Sequence, residues 1–232
     1  TPTVDAERVY HVWQSTESSA LLAFTHDGAP AWKFPLDAFS EGHGGGVSPI
    51  VWEDLVVLAC DQQGSSYLLA VDRRTGEQRW KTPRQSKRAG YSTPCVYQVP
   101  GRPAELIFTE WKHGITGLDS TTGQVRWEID CFGKDPERAI ASPIIAGEVI
   151  FGTCGFASGD KHCVAVRPDA VGDKVEVKEL FRVEKTSPHL PTPIAFNGRL
   201  FLWTEKGIVS SVKLESGEVA TTKRIGGNFS AS

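Results

Sequence analysis

The chain has 232 residues, of which 40% are hydrophobic and 23% charged, and its formal net charge is −3. This apolar share can fill a folded core and excludes a largely disordered chain. The slight negative charge argues against a nucleic-acid partner, which usually requires a basic excess. No stretch reaches the roughly 18 consecutive apolar residues of a membrane span, so no transmembrane segment is predicted.

An internal repeat runs through the sequence from the first residues onward. Its first marker is Ser or Thr followed by Pro and apolar residues, and successive prolines of this marker lie 47, 45, 49 and 50 residues apart. The marker predicts one domain over residues 1–232 with five repeats. Their approximate bounds are 1–47, 48–92, 93–141, 142–191 and 192–232.

The first three repeats share a second marker, in which an apolar run is followed by a Gly-containing turn and then by Trp. In the second repeat it spans 69–80 and reads LAVDRRTGEQRW, and the third repeat has it at 117–127. A looser copy in the first repeat ends at Trp32. The three tryptophans lie 48 and 47 residues apart, so both markers keep the same phase.

The second repeat shows the predicted elements of one repeat. Alternating and apolar runs predict strands at 48–52, 55–60, 67–71 and 77–82, with the marker proline at the first strand position. No segment has helical periodicity. Four antiparallel strands in each repeat of about 47 residues predict a blade of a β-propeller.

The tryptophans and the turns before them are predicted to be structural. A Trp near the outer strand can cover the join between two blades while its indole N–H reaches a polar partner. In the turns, Gly supplies a positive φ and Asp can accept nearby backbone N–H groups. A stacking surface for a ligand is the alternative role of the tryptophans. The predicted blade-docking residues are Trp32, Trp80, Trp127, Asp72, Gly76, Asp119 and Gly123.

The last two repeats are degenerate. In the fourth, an insertion follows Pro168, and Phe181 is predicted to stand in place of the Trp. The fifth keeps Gly217 but lacks the Trp, and residues 230–232 resemble the start of another repeat. The sequence contains no methionine and no signal peptide, so we expect a processed form or a piece of a longer protein.

Cysteine and histidine offer no metal-binding pattern. The five cysteines form no C-x-x-C pair, and the six histidines show no metal-ligand spacing, so no metal site is predicted. We expect the cysteines to be small buried hydrophobic residues. A disulfide between Cys154 and Cys163 across a hairpin is the alternative.

The segment 70–80 reads A-V-D-x-x-T-G-x-x-x-W and resembles the repeat of the quinoprotein-type (PQQ-like) β-propellers. The turns at 53–54, 147–148 and 197–198 after the proline marker fit the same pattern. The resemblance implies an all-β propeller of four-stranded antiparallel blades in an extracytoplasmic compartment, periplasmic or secreted. Because known members have seven or eight blades, five repeats imply a partial or open ring; a closed five-bladed ring is the alternative.

Two functions follow from this resemblance. The family includes non-catalytic scaffolds, such as the lipoprotein propeller that assists outer-membrane protein assembly, and we predict this function. It also includes PQQ-dependent alcohol dehydrogenases, in which a tryptophan and a ring of two adjacent cysteines hold the quinone beside calcium and an aspartate base. Here no two cysteines are adjacent and no calcium-binding cluster stands out, so no cofactor and no catalytic residue are predicted. PQQ with calcium remains the alternative.

The loops that join each outer strand to the next inner strand usually meet the ligands of propellers, together with the loops between strands two and three. We call this end of the molecule the loop face. In an acidic protein its cationic groups predict an anionic partner, such as an acidic peptide segment or a polyanionic glycan; solvated loop charges are the alternative. An open ring would also expose apolar terminal blades for association. The candidate residues of the loop face are His43, Lys87, Arg88, Tyr91, Lys134, Arg138, His189 and Asn228.

Overall fold

A computed structural model describes residues 1–40, 43–134, 137–156, 159–172 and 174–226. In these residues, 20 strands form five separate four-stranded sheets, and each sheet pairs its strands in chain order as an antiparallel meander. We call the sheets the first to fifth blades. Their strands are β1 (Thr3–Val4), β2 (Arg8–Gln14), β3 (Ser19–Thr25), β4 (Pro30–Leu36), β5 (Ile50–Trp52), β6 (Leu55–Cys60), β7 (Ser66–Asp72), β8 (Gln78–Arg84), β9 (Cys95–Tyr97), β10 (Glu105–Glu110), β11 (Gly114–Asp119), β12 (Val125–Ile129), β13 (Ile144–Ala146), β14 (Val149–Gly155), β15 (Lys161–Val171), β16 (Lys174–Val183), β17 (Ile194–Phe196), β18 (Arg199–Trp203), β19 (Ile208–Lys213) and β20 (Val219–Arg224).

This architecture confirms the all-β propeller prediction. The blades described here form an open arc and do not close into a ring. The strand bounds predicted for the second blade were wrong in detail. The third and fourth strands, β7 and β8, span Ser66–Asp72 and Gln78–Arg84 in place of 67–71 and 77–82. The first strand, β5, begins at Ile50, directly after Pro49, and not at Ser48. The proline has no N–H group to donate, so ladder pairing starts only at the next residue, where Ile50 pairs with Val57.

Apolar clusters fill the joints between neighbouring blades. The largest joins the first, second and third blades, and two smaller ones join the third to the fourth and the fourth to the fifth. Because neighbours cover both faces of the second and third blades, every residue of β6 and of β10 is buried. The second strand of the second blade is accordingly a continuous apolar run, whereas β10 also buries Glu105, Thr109 and Glu110.

Aromatic rings and turn glycines form three of the four joints. The ring of Trp32 lies against Gly76, where an added Cβ would be 2.8 Å away, and its indole N–H donates to the carbonyl of Arg73 at 3.0 Å. At the next joint Trp80 covers Gly123 in the same way and donates to the carbonyl of Ser120 at 3.2 Å. Phe181 covers Gly217 at the last joint.

The two Asp-to-Gly turns have the same hydrogen bonds. Asp72 accepts the backbone N–H groups of Arg74 and Thr75 at 2.8 and 3.0 Å. Asp119 accepts the two corresponding N–H groups, both at 2.9 Å. Gly76 and Gly123 have φ values of 75° and 70°, so a residue with a Cβ would be strained there.

The cysteines are free thiols, and the disulfide alternative was wrong. Cys154 pairs in register with His162 and Cys163 with Thr153, and the two cysteines belong to different apolar clusters on opposite faces of the sheet. Their side chains therefore point apart. Burial raises the pKa of Cys163 to about 12, which keeps this thiol protonated and unreactive at neutral pH.

Candidate functional site

The loops of the loop face are joined to one another by backbone hydrogen bonds from blade to blade. In the loop after β8, the backbone N–H of Gly90 donates to the carbonyl of Asp61 at 3.1 Å, and the backbone N–H of Tyr91 donates to the carbonyl of Ala139 at 2.9 Å. Arg138 exchanges two backbone hydrogen bonds of 3.2 Å with Gly155 at the end of β14. The second, third and fourth blades thus hold this face together through their backbones.

A buried ion pair supports the loop face at the second blade. Asp61 directly follows β6, and its carboxylate lies 3.0 Å from the guanidinium of Arg84, with both side chains at most 3% exposed. Ser66 donates to the same carboxylate at 3.0 Å. Burial raises the pKa of Asp61, while the charge of Arg84 opposes this shift.

Carboxylates hold the loop face at the third and fifth blades as well. Glu110, the last residue of β10, accepts the hydroxyl of Ser86 at 2.5 Å and the backbone N–H of Lys112 at 2.7 Å. Glu205 follows β18 and accepts the backbone N–H groups of His189 and Leu190 at 2.6 and 2.7 Å. Burial would raise the pKa of Glu205, but these N–H groups outweigh it and the pKa is lowered.

The structure brings part of the predicted site together. The guanidinium carbon of Arg88 lies 5.9 Å from the ring centroid of Phe156, and the rings of Phe156 and His189 are 6.2 Å apart. The backbone N–H of Tyr91 donates to the carbonyl of Ala139 on a neighbouring loop. Phe156 was missed by the sequence reasoning, although a phenylalanine directly after a strand on the ligand end of a blade is a usable signal.

Other predicted residues lie elsewhere on the face. Lys87 lies 5.9 Å from the ring centroid of Trp111 and is exposed. His43 and Lys134 are exposed on the loops that follow the first and third blades. Asn228 lies outside the described residues.

The loop face exposes less positive charge than its predicted residues suggest. Arg138 and His189 are only 9% and 8% exposed. Burial lowers the pKa of His189, so this imidazole is neutral at pH 7. Among the predicted site residues, Lys87, Arg88 and Lys134 therefore supply most of the positive charge that solvent can reach.

The residues of this chain do not fit PQQ with calcium in the way the resemblance implies. No two cysteines are adjacent in the sequence. Within the described ranges, no group of three His, Cys, Asp or Glu side chains is placed to hold a metal ion. The carboxylates nearest the loops already have protein partners: Asp61 has Arg84 and Ser66, and Glu205 has two backbone N–H groups. We therefore derive no step through the quinone.

The described residues also contain no helix long and apolar enough to cross a membrane.

Solved structures share the fold at low sequence identity. BamB from Moraxella catarrhalis is 12% identical with a TM-score of 0.54, over 98% of this chain and 74% of that one. The quinohemoprotein alcohol dehydrogenase from Comamonas testosteroni is 15% identical with a TM-score of 0.65, over 97% and 42%. The Dos1 propeller is 13% identical with a TM-score of 0.62, over 95% and 56%. The chain thus spans less than two thirds of the last two proteins.

Sequence comparisons show the family. None of the curated proteins matches the chain. The family described as outer membrane protein assembly factor BamB matches residues 1–223, which is nearly the whole chain. The chain belongs to this family of PQQ-like β-propellers.

Proposed function

We propose that the chain is a non-catalytic scaffold that binds a protein partner through its loop face in an extracytoplasmic compartment. The family description names an assembly factor for outer membrane proteins, which is a scaffolding role. The observation that carries the proposal is the chain of backbone bonds from Gly90 and Tyr91 through Ala139 to Gly155. These backbone hydrogen bonds join loops from different blades into one preformed surface.

A preformed surface favours binding because little order has to be created when the partner arrives. The carboxylates of Glu110, which is buried, and of Glu205, which is half-buried, fix the loops at their bases. Arg88 and Phe156 then present a guanidinium beside an aromatic ring that is 38% exposed. Arginine and aromatic residues are the types most enriched at the energetic centres of protein interfaces.

The charges select the partner. Lys87 and Lys134 are exposed on the same face as Arg88, and the chain as a whole is acidic. A local excess of positive charge speeds association with an acidic segment and disfavours basic ones. We therefore propose an acidic peptide segment of a protein as the bound element.

The test uses a fluorescein-labelled octaglutamate peptide, with binding followed by anisotropy at several salt concentrations. Reversal of both charges, Lys87→Glu with Arg88→Glu, should weaken binding by about tenfold or more and flatten its salt dependence. The control reverses two exposed lysines on the hairpin of β15 and β16, Lys174→Glu with Lys178→Glu, and should leave affinity nearly unchanged. Equal affinity and equal salt dependence in wild type and the loop-face variant would refute the proposal.

The non-catalytic part has its own test. Tryptophan fluorescence during titration with PQQ and calcium should show no saturable change. Saturable one-to-one binding together with dye-linked oxidation of an alcohol would make the chain a dehydrogenase and overturn this part.

A further inference from the structure

A cleft of about 500 Å³ opens between the fourth and fifth blades at the loop face. Three loops line it: the loop from β14 to β15, the loop from β16 to β17, and the loop from β18 to β19. Its volume lies in the range of roughly 300–1,000 Å³ typical of small-molecule sites. None of the residues assigned to the proposed protein surface lines it. The lining side chains include Asp160, Lys161, His162, Glu184, Ser187 and Lys206.

The floor of the cleft carries buried polar groups that need a partner. Ser187 is 2% exposed and its hydroxyl has no hydrogen-bond partner among the described residues. His162 is 8% exposed, and within the same ranges neither ring nitrogen has one. A buried polar group left without a partner costs about 1–3 kcal/mol, so such groups point to a bound molecule or water.

The carboxylates beside His162 do not meet this need. Glu137 and Glu184 lie 3.8 and 3.9 Å from its two ring nitrogens, which is beyond hydrogen-bond distance. The imidazole can therefore still accept or donate a bond toward the cleft that it lines. Together with the hydroxyl of Ser187, the floor offers hydrogen-bond donors and acceptors.

The rim alternates in charge. Asp160 and Glu184 are exposed beside Lys185 and Lys206, and Ile208 is the one apolar side chain among the lining residues described. A hydroxyl group can donate to a carboxylate and accept from an ammonium at the same time. A polyhydroxylated ligand suits this rim better than an apolar peptide side chain, for which Ile208 is the one apolar side chain among the lining residues described.

An aromatic ring stands at the base of the hairpin that borders the cleft. The backbone N–H of Phe156 donates to the carbonyl of Asp160 at 3.1 Å, and a Cβ added to Gly159 would lie 3.5 Å from the Cβ of Phe156. The ring is 38% exposed. Its free apolar area could cover the C–H face of a sugar ring that extends out of the cleft.

From the unpartnered floor, the mixed-charge rim and the neighbouring ring, we infer that this cleft binds a neutral saccharide. This site goes beyond the proposed protein scaffold, because the ligand class and the residues lining the cleft differ, and the two surfaces share only the neighbouring ring of Phe156. Ser187 and His162 bond sugar hydroxyls at the floor, and Lys206 and Glu184 bond them at the rim.

The experiment is saturation-transfer NMR on the full chain with three separate probes: maltose, cellobiose and N,N′-diacetylchitobiose. At least one of these sugars should give a saturation-transfer signal. Ser187→Ala and His162→Gln should each lower its affinity by about fivefold, as expected for one lost hydrogen bond. Ser187→Ala removes a hydroxyl without a protein partner, so its melting temperature should not fall. Lys206→Ala should also weaken binding. Its control is Lys213→Ala, which lies in the same blade, pairs with Glu218 and should leave binding unchanged.

The outcomes separate this inference from the proposed function. Saccharide binding that survives Lys87→Glu with Arg88→Glu but is weakened by Ser187→Ala supports the inference, whatever the octaglutamate peptide does. No signal from any of the three probes overturns it. A signal that is insensitive to Ser187→Ala and His162→Gln overturns it too, because the sugar then binds elsewhere. Octaglutamate binding lost in Lys206→Ala, without a saccharide signal, would assign the cleft to an acidic peptide instead.

Discussion

The inner joints and the outer faces of the terminal blades use the same blade design with opposite results. At the inner joints Gly76 and Gly123 lie under the tryptophans of the preceding blades. In the first blade Gly28 has a similar φ of 89°, but nothing lies within 4 Å of a Cβ added there. A turn of this kind is therefore buried only when the preceding blade supplies an aromatic ring.

The fifth blade is unable to supply that ring. Trp80 stands four residues after the turn glycine Gly76. The corresponding position in the fifth blade, four residues after Gly217, is Thr221, an exposed residue of β20. Its outer face instead shows Ile194 and Phe196, which are 66% and 64% exposed. The apolar character of a blade is thus fixed by its own sequence, whereas the burial of its face is fixed by the neighbouring blade.

The third joint shows a different solution. Trp127 donates its indole N–H to Glu105 of its own blade at 2.6 Å and packs in the cluster shared with the fourth blade. The long hairpin of β15 and β16 replaces the short glycine turn there. Arg102 reaches it and donates to the carbonyl of Pro168 at 2.7 Å.

The largest expected effect comes from removing a ring at an inner joint. Trp80 is 6% exposed, so Trp80→Ala should lower the free energy of unfolding by about 3–5 kcal/mol. Trp13 on the outer face of the first blade is 55% exposed, and Trp13→Ala should cost less than about 1 kcal/mol. Urea denaturation measures both. Similar losses for the two variants would mean that the outer face is covered in solution.

A pair of glycine substitutions sharpens the comparison. Both Gly123→Ala and Gly28→Ala place a Cβ at positive φ, which costs about 1–2 kcal/mol. Only the Cβ at position 123 meets a ring, 2.5 Å from Trp80. Gly123→Ala should therefore lower the free energy of unfolding by about 1–3 kcal/mol more than Gly28→Ala. Thermal unfolding of the two variants gives the difference. Equal costs would show that the ring can move away freely.

Much of this comparison could be predicted from the sequence, because strands, turns and blade order follow local periodicity. The turn residues Asp72 and Gly76 stand four positions apart and are readable as a motif. The site was harder, because its contacts join distant loops. Asp61 and Arg84 are 23 positions apart, and no pattern marks them as a pair. The cleft was missed for the same reason, since its walls come from three loops of two blades.

The first joint also carries an acid-sensitive tether. Tyr10 donates to Asp5 at 2.9 Å, and the guanidinium of Arg73 lies 2.8 Å from the same carboxylate. Partial burial disfavours the ionised form of Asp5, but the backbone N–H of Glu7 and the charge of Arg73 outweigh it and lower the pKa to about 2.

Because the pKa of Asp5 is lower in the folded chain than in the unfolded one, its ionisation stabilises the fold. This contribution is complete above the ordinary Asp pKa of about 4 and is lost as the pH falls through about 2. Unfolding free energy measured between these limits should decline less steeply in Asp5→Asn than in wild type. Asp130→Asn is the control, since this exposed carboxylate follows β12 of the third blade and lies outside the first joint. The same slope in wild type and Asp5→Asn would show that the tether does not act in solution.

The smallest expected effect on stability belongs to the outer face of the fifth blade. Ile194 pairs in register with Phe201, and Phe196 lies on the same face, so their exposed side chains form a continuous apolar surface. Such surfaces favour association, and we expect a second copy of this chain to cover it at high concentration. Ile194→Lys with Phe196→Lys should abolish this association, yet change the unfolding free energy of the monomer by only about 0.5 kcal/mol. Sedimentation equilibrium over a range of concentrations measures the first effect. The control, Val171→Lys with Leu180→Lys, changes two apolar residues that are 48% and 41% exposed on the long hairpin. If both double variants lowered association equally, general charge repulsion would explain the effect, and the terminal blade would have no special role.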